Sequence, residues 1–511
     1  MSHLSKVARA RPDAVAAIFP GSGQALSFAD LDAAANRAAH AMRAIGLRRG
    51  DCIALSITNR PEWLAAVLGA QRIGLYYVLL STKMSADDLA YVVADSQAQA
   101  LVISDGCFAL TAETSLRGLS APVFGLDLAL DGVADWAALT AGQPATLPDQ
   151  PSCGAVMLYS SGTTGRPKGV RKPLPDRAFD AADPATVGVA RGYGLGEGSV
   201  LYSPSPLYHA APHRYVTAAL HSGATVVLPE RFDAGEALVD LQAHQCTHGL
   251  WVPTMFHRML RLPASVRQAA DLSSQRYAIH GAAPCPQHVK RAMIDWWGPI
   301  LDEYYSGSEG VGFVRISSQE WLAHPGSVGR AANAHVLGPD GGVLPAGAVG
   351  DIYFSGDNGF EYWRDPAKTA GAQSPQGWRT YGDIGYLDVD GYLYLTDRRH
   401  FTIISGGVNI YPQEIEAVLL EHPSVRDAAV IGAPSEDLGQ AAMAVVELVS
   451  GVAADASTAE ALLGFVRARL GPVKTPKRLV FEAELPRHDT GKLFKQDLLR
   501  KFAPPLGSGF G

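Results

Sequence analysis

Residues 159–170 read YSSGTTGRPKGV, a run of hydroxyls and glycines closed by a lysine. Gly162, Gly165 and Gly169 let a backbone come close to a phosphate chain, Ser160, Ser161, Thr163 and Thr164 add hydroxyl donors, and Lys168 adds positive charge. An ordinary surface turn needs one or two special positions, not a pattern of this density. The run reads as a loop for a triphosphate. It lacks the Gly-Lys-Ser or Gly-Lys-Thr of the Walker sequence, which argues against a P-loop kinase or GTPase.

Around this loop the apolar pattern alternates between helix and strand. Residues 29–46 keep apolar and alanine positions at helical spacing, with Ser27 as N-cap and Gly46 as stop. Strands are expected at 51–56, 100–104 and 224–228, and helices at 62–72 and 235–244. Such alternation predicts an α/β fold with parallel sheets covered by helices, as a large N-terminal domain over 1–396. Its last part, 351–396, shifts to short strands with a turn at Asp390-Gly391, a small β subdomain. Helices near 412–421 and 457–469, alternating with strands at 428–431 and 442–449, predict a small mobile α+β C-terminal domain over 397–511, hinged near Asp397.

Bulk properties exclude several classes. With 43 basic against 50 acidic residues, neither nucleic acid nor an anionic membrane is an expected partner. Five dispersed cysteines without a CxxC pair read as reduced thiols. The N-terminus lacks the apolar core of a signal peptide, and the most apolar stretch, 63–80, is interrupted by Gln71 and Arg72, so no membrane span is expected. The expectation is a cytoplasmic enzyme, with a homodimer left open.

Four further segments carry chemistry: YYSGSEG (304–310), YGDIGYLDVDGYLYLTDR (381–398), SGGVNIYPQEIE (405–416) and PRHDTGK (486–492). Together with the loop at 159–170 and the stretch 27–51, they resemble, in content and order, the adenylate-forming superfamily. That superfamily includes acyl-CoA synthetases, luciferases and the adenylation domains of peptide synthetases, and the resemblance covers nearly the whole chain. It implies two half-reactions: ATP and a carboxylic acid give an acyl-adenylate, then CoA takes the acyl group.

The resemblance also implies roles. Ser160, Ser161, Gly162, Thr163, Thr164, Gly165 and Lys168 clamp the phosphates, while Thr163 and Glu309 hold Mg²⁺. Gly281, Ala282 and Ala283 pack on adenine, with Tyr305 and Ser308 completing the nucleotide site. Asp383 accepts from both ribose hydroxyls, and Arg398 contacts ribose or phosphate. Lys492 bridges the substrate carboxylate and the ribose oxygen. Swinging of the C-terminal domain replaces it with Ser405, Gly406 and Gly407, which line a CoA channel. His209 resembles a gate between the acid and that channel, and Tyr208, Ala210, Ser306 and Gly307 line the acyl pocket. Lys474, Lys477 and Arg478 form a basic cluster that reads equally as a CoA phosphate contact or a solvated face.

Two departures from the family pattern stand out: Arg399-His400-Phe401 after the hinge, and Ser306 where the family often has glycine. Leu207-Tyr208-His209 replaces the aspartate of amino-acid-activating relatives, which favours an acid without an α-amine. Small residues at Ala210, Ala211, Gly281, Ala282, Ser306, Gly307 and Gly312 predict space for a bulky or elongated acid, whether fatty, aryl-alkanoic or alicyclic. His244, Cys246 and His248 are not read as metal ligands, since no third partner follows at metal spacing. The competing readings are a ligase that delivers to a carrier protein, a luciferase-type oxidation and a nucleotide sensor. A serine hydrolase lacks its Gly-x-Ser-x-Gly.

Overall fold

The computed structural model describes residues 3–107, 116, 118–119, 121–160, 167–356, 359–435, 437–487 and 493–503, excepting the side chains of Ser160 and His400. These fall into two compact units, one over Met1–Trp251, Arg258–His280 and Gly359–Ala370, the other over Val252–His257, Gly281–Asn358 and Gly371–Gly511.

In the first unit, local signals set the elements. The helix Phe28–Ala44 starts in a capping box, in which Asp30 N–H donates to Ser27 Oγ at 3.0 Å and Ser27 N–H donates to the Asp30 carboxylate at 3.0 Å. Gly46 follows with φ +95°, a conformation that ends helices and suits glycine. Two sheets form the body. One runs in parallel through Tyr277–His280, His248–Trp251, Val200–Tyr202, Thr225–Val227 and Val15–Phe19, with Gln24–Ser27 antiparallel at its edge. In the other, Ala155–Ser160, Tyr76–Leu79, Cys52–Ser56, Ala98–Ser104, Val123–Leu126 and Ala134–Asp135 are parallel. Cys52, Ala54, Val78, Leu101 and Ile103 are buried in its core, as near-continuous apolar strands covered by helices require.

The second sheet then reverses. Lys168–Arg171 pairs antiparallel with Ala155–Ser160, and Glu361–Tyr362 pairs antiparallel with Lys168–Arg171. The described ends of the 159–170 motif therefore belong to neighbouring antiparallel strands of this sheet.

In the second unit, the hairpin Leu301–Ser306 and Phe313–Ser317 is anchored from below by Lys290 on the helix Gln287–Trp297. Lys290 is fully buried and donates to Glu303 at 2.6 Å, with Trp321 4.8 Å from its ammonium. Losing either partner would strand a buried charge, so the pair fixes the strand that ends at Tyr305 and Ser306. A five-stranded antiparallel sheet follows in the order Ser327–Arg330, Tyr392–Arg398, Asp383–Leu387, Gly350–Phe354, Ala334–Leu337. The Asp390-Gly391 turn lies between two of its strands, Gly391 at φ +81°.

Beyond it, Val425–Ser435 and Gly439–Leu448 form a long hairpin, with Arg478–Phe481 parallel to its second strand. The helices Pro412–Leu420 and Ala456–Lys474 bury Ile415, Leu419, Leu462 and Val466 with Val430, Ala444 and Val446. The latter helix runs beyond the expected 457–469 and kinks at Gly471, φ +77°. Among the described residues, no helix is long and apolar enough to cross a membrane.

Candidate active site

The strand Lys168–Arg171, which ends the 159–170 motif, is locked in place within the first unit. The Arg171 guanidinium is sandwiched 4.1 Å from the Tyr76 ring and 4.0 Å from the Trp363 ring. Trp363 is held by two hydrogen bonds: its backbone N–H donates to the Gly169 carbonyl at 2.8 Å and its indole N–H to the Asp95 carbonyl at 2.8 Å. Tyr159 donates to the Asp95 carboxylate at 2.6 Å, and burial together with that carboxylate raises its phenol pKa, keeping it a donor. A Cβ on Gly169 would lie 2.6 Å from the terminal methyl of Met157 and 3.0 Å from the Tyr159 ring, so a side chain there would force its neighbours to shift.

Lys168 Nζ donates to Asp365 at 2.7 Å, and that carboxylate's other oxygen accepts the Lys368 N–H at 3.0 Å. These bonds hold the Asp365 pKa below the usual range, the Lys168 bond first. Sequence reasoning missed Arg171, Trp363 and Asp365; the signal was YWRDP at 362–366, aromatic rings beside an Asp-Pro helix start. Ser161, Gly162, Thr163, Thr164 and Gly165 lie outside the described residues, as do Lys492 and the Ser160 side chain.

The His209 segment is fixed by a residue far from it in sequence. Buried Asn59 donates to the Ser205 carbonyl at 3.2 Å and the Pro229 carbonyl at 3.0 Å, while accepting the Leu207 N–H at 2.8 Å. Tyr208 and His209 rings meet edge-on at 4.4 Å, and His209 occupies the N-cap position of the helix Ala210–His221. One turn along, His213 Nε2 lies 3.1 Å from Tyr77 Oη, and burial pushes its pKa down to about 3. A neutral imidazole is the form this site holds. His244 ends the helix Ala234–Ala243, whereas His248 sits in a strand, its imidazole between Thr247 Oγ1 at 2.7 Å and the Tyr193 carbonyl at 2.7 Å.

In the second unit, three predicted nucleotide residues converge. Tyr305 donates to Asp383 Oδ2 at 2.5 Å, and Arg398 Nε lies 3.1 Å from Asp383 Oδ1. Asp383 is 6% exposed. Burial and the facing carboxylate raise the Tyr305 phenol pKa well above its usual value, so tyrosine is the donor and aspartate the acceptor. Gly382 turns the chain into this strand at φ +79°, with its N–H on Thr380 Oγ1 at 2.8 Å.

The loop carrying Ser308 and Glu309 closes through Gly310 N–H on the Gly307 carbonyl at 3.1 Å. Glu309 Oε2 folds back to 3.0 Å from the position of a Cβ on Gly307. Ala282 is held at φ +69°, a left-handed conformation uncommon outside glycine, which marks the 281–283 loop as a strained feature.

At three of the small residues, the space that a side chain would occupy is already filled. A Cβ on Gly281 would lie 2.6 Å from the Tyr304 ring, one on Gly307 2.5 Å from Tyr381, and one on Gly312 2.5 Å from Phe354. These glycines make room for rings of the protein itself.

At the expected hinge, Asp397 is 2% exposed and accepts the N–H groups of Arg398 at 2.7 Å and Gln413 at 3.1 Å. Burial pushes its pKa up to about 6, against the opposing pull of Lys495. Arg399, the departure noted in the sequence, forms an ion pair with Asp351. Ser405, Gly406 and Gly407 form the turn between Ile403–Ser405 and Val408–Ile410. Lys474 is neutralised by Glu414, at 2.7 Å from each carboxylate oxygen, while Lys477 and Arg478 are exposed.

A family model described as AMP-binding enzyme matches residues 4–363, and one described as AMP-binding enzyme C-terminal domain matches 414–492. The chain belongs to the AMP-binding enzyme family. It is an adenylate-forming enzyme of the acyl-CoA synthetase type, as the motif order implied. This AMP-binding enzyme is 32% identical to a feruloyl-CoA synthase of Amycolatopsis sp over 503 residues, which cover 97% of this chain and 98% of that protein. It is 29% identical to a long-chain-fatty-acid–CoA ligase of Mycobacterium tuberculosis, covering 98% of both. A solved o-succinylbenzoate CoA synthetase of Bacillus subtilis, in complex with its acyl-adenylate intermediate, is similar at 28% identity with a TM-score of 0.81, covering 97% of both chains.

Proposed function

We propose that this AMP-binding enzyme is a carboxylic acid–CoA ligase: a carboxylate attacks the α-phosphate of ATP, pyrophosphate leaves, and the acyl-adenylate then passes its acyl group to the CoA thiol with release of AMP. The observation that carries this reading is the Asp383 carboxylate, buried and held by Tyr305 and Arg398. An ionised carboxylate has about four acceptor sites. Two are taken by protein donors, which leaves capacity for the two hydroxyls of a ribose.

In this reading Ala282 and Ala283 face adenine, and Lys168 leaves Asp365 for the phosphates. Lys492 counters repulsion between carboxylate and phosphate as they meet. Glu309, a hard oxygen donor on a half-buried loop, suits magnesium, which keeps most of its waters and needs few protein ligands. Thr163 and Glu309 would hold the ion, and its charge would offset that of the departing pyrophosphate. Rotation about Asp397 then brings Ser405–Gly407 to the acyl-adenylate. The acid is proposed to be fatty, aryl-alkanoic or alicyclic, in keeping with the feruloyl and fatty-acyl ligases among the relatives.

Incubation with ATP, Mg²⁺ and a panel of such acids, with and without CoA, tests the reading by mass spectrometry. An acyl-CoA product with equimolar AMP is expected. Acyl-adenylate that accumulates despite CoA would make a carrier protein the acceptor, and no pyrophosphate release with any acid would contradict the reading.

A further inference from the structure

The loop 307–312 is tied from outside by one side chain. Tyr381 Oη donates to the Gly312 carbonyl at 2.7 Å and accepts the Gly312 N–H at 2.9 Å, so a single hydroxyl takes up both polar backbone groups of one residue. Ser306 Oγ donates to the same carbonyl at 3.0 Å and lies 3.4 Å from Tyr381 Oη. The tie is reciprocal, because Tyr305 reaches from the hairpin to Asp383 while Tyr381 reaches back from beside Asp383 to Gly312.

The Tyr381 ring does something different from its hydroxyl. It lies over Gly307, where a Cβ would come within 2.5 Å of both Cδ1 and Cε1, and it packs edge-on against Tyr305 at 5.7 Å. Phe354 fills the equivalent space at Gly312 but is 1% exposed and belongs to the core. Tyr381 is only partly buried. Of these two rings, Phe354 is buried and Tyr381 is the one with part of its surface exposed.

We infer that Tyr381 is a specificity-determining residue, whose ring limits the size of the acid beside Ser306 and Gly307 while its hydroxyl positions the loop that carries Glu309. This rests on the placement of Ser306 and Gly307 at the acid in the ligase reading. A residue that only held the loop would change the rates for all acids together. A residue that forms the wall changes their ratio.

The test compares wild type, Y381F and Y381L on straight-chain acids from butyrate to palmitate and aryl acids from benzoate to 4-phenylbenzoate, reading pyrophosphate release. Y381L is expected to raise kcat/KM for the bulkiest accepted acid, relative to the most compact, by about ten-fold or more, the scale at which removed pocket atoms discriminate. Y381F keeps the ring and is expected to lower all rates by a common factor with that ratio unchanged. An unchanged ratio in Y381L, or an equal shift in Y381F, would overturn the inference. Should Y381L not fold, Gly307→Ala carries the test: its methyl meets the ring and also lies 3.0 Å from Glu309 Oε2, so the readout is the ratio alone, which is expected to change by at least about three-fold. No change there would also overturn it. Wild-type enzyme that releases no pyrophosphate with any acid would fail the ligase reading and this inference together, whereas active wild type with unmoved ratios fails the inference alone.

Discussion

A side chain at Gly307 would meet the Tyr381 ring at 2.5 Å, whereas a side chain at Gly407 would meet nothing within 4 Å. Both glycines sit in turns of predicted site motifs, yet Gly307 is glycine because a ring is packed on it, and Gly407 because its backbone stands at φ +80°. Their surroundings differ in the same way. Around Gly307 the two segments 305–312 and 381–383 exchange tyrosine hydroxyls, and a buried aspartate lies between them. Around Gly407 a short hairpin leaves Ile404 and Val408 exposed at 57% and 47%. Preorganised donors suit the adenylation half-reaction, where charge develops at fixed positions. An open, left-handed turn suits approach by a thiol.

The largest expected effect bears on the fixed region. Asp383→Ala removes a buried carboxylate that holds Tyr305 and Arg398, and each charge-assisted bond is worth about 1.5–3 kcal/mol. A fall of roughly a hundred-fold or more in kcat/KM for ATP is expected in pyrophosphate exchange; a change under ten-fold would remove Asp383 from the nucleotide site.

Asp397, where the sequence led to the expectation of a hinge, gives a smaller effect with a pH signature. Asp397 titrates near 6 in the folded protein against 3.8 ordinarily, so the folded state binds its proton more tightly than the unfolded state. Between those values stability attributable to this group falls as pH rises, and the penalty is complete above the folded pKa. Asp397→Asn removes that penalty but keeps only one of the two N–H acceptors, so its stability relative to wild type is expected to gain most near neutrality. The gain in urea midpoint should shrink as pH is lowered through about 5, and a gain that grew on acidification would contradict the burial argument.

Asp365→Asn gives the smallest effect. The Lys168–Asp365 pair is about a third exposed on each side, and such pairs contribute about 1 kcal/mol or less. With this ion pair weakened, the KM for ATP is expected to fall by about two- to five-fold. A higher KM would mean that Asp365 aims the lysine and does not restrain it.

What was legible in the sequence was local. The Ser27–Asp30 capping box, the strand and helix alternation, and the left-handed Gly382 and Gly391 follow from neighbours a few residues apart. The motifs also identified Tyr305, Asp383 and Arg398, which the fold brings together. What escaped was long-range. Nothing near Arg171 announces that Tyr76 and Trp363 will enclose it, and nothing near Gly312 announces Tyr381. At Gly281, Gly307 and Gly312 the reading of small residues as empty space meets the same limit, since a glycine does not say whether its missing volume is vacant or filled by a ring of the protein.

The most direct test of the two-region account splits the half-reactions in one variant. Gly407→Val places a β-branched side chain at a backbone angle it resists. Pyrophosphate exchange with ATP and acid should remain near wild type, while conversion of supplied acyl-adenylate and CoA to acyl-CoA should fall by about a hundred-fold or more in single turnover, as for other loss of near-attack positioning. Equal losses in the two half-reactions, or thioester formation that survives intact, would contradict the account.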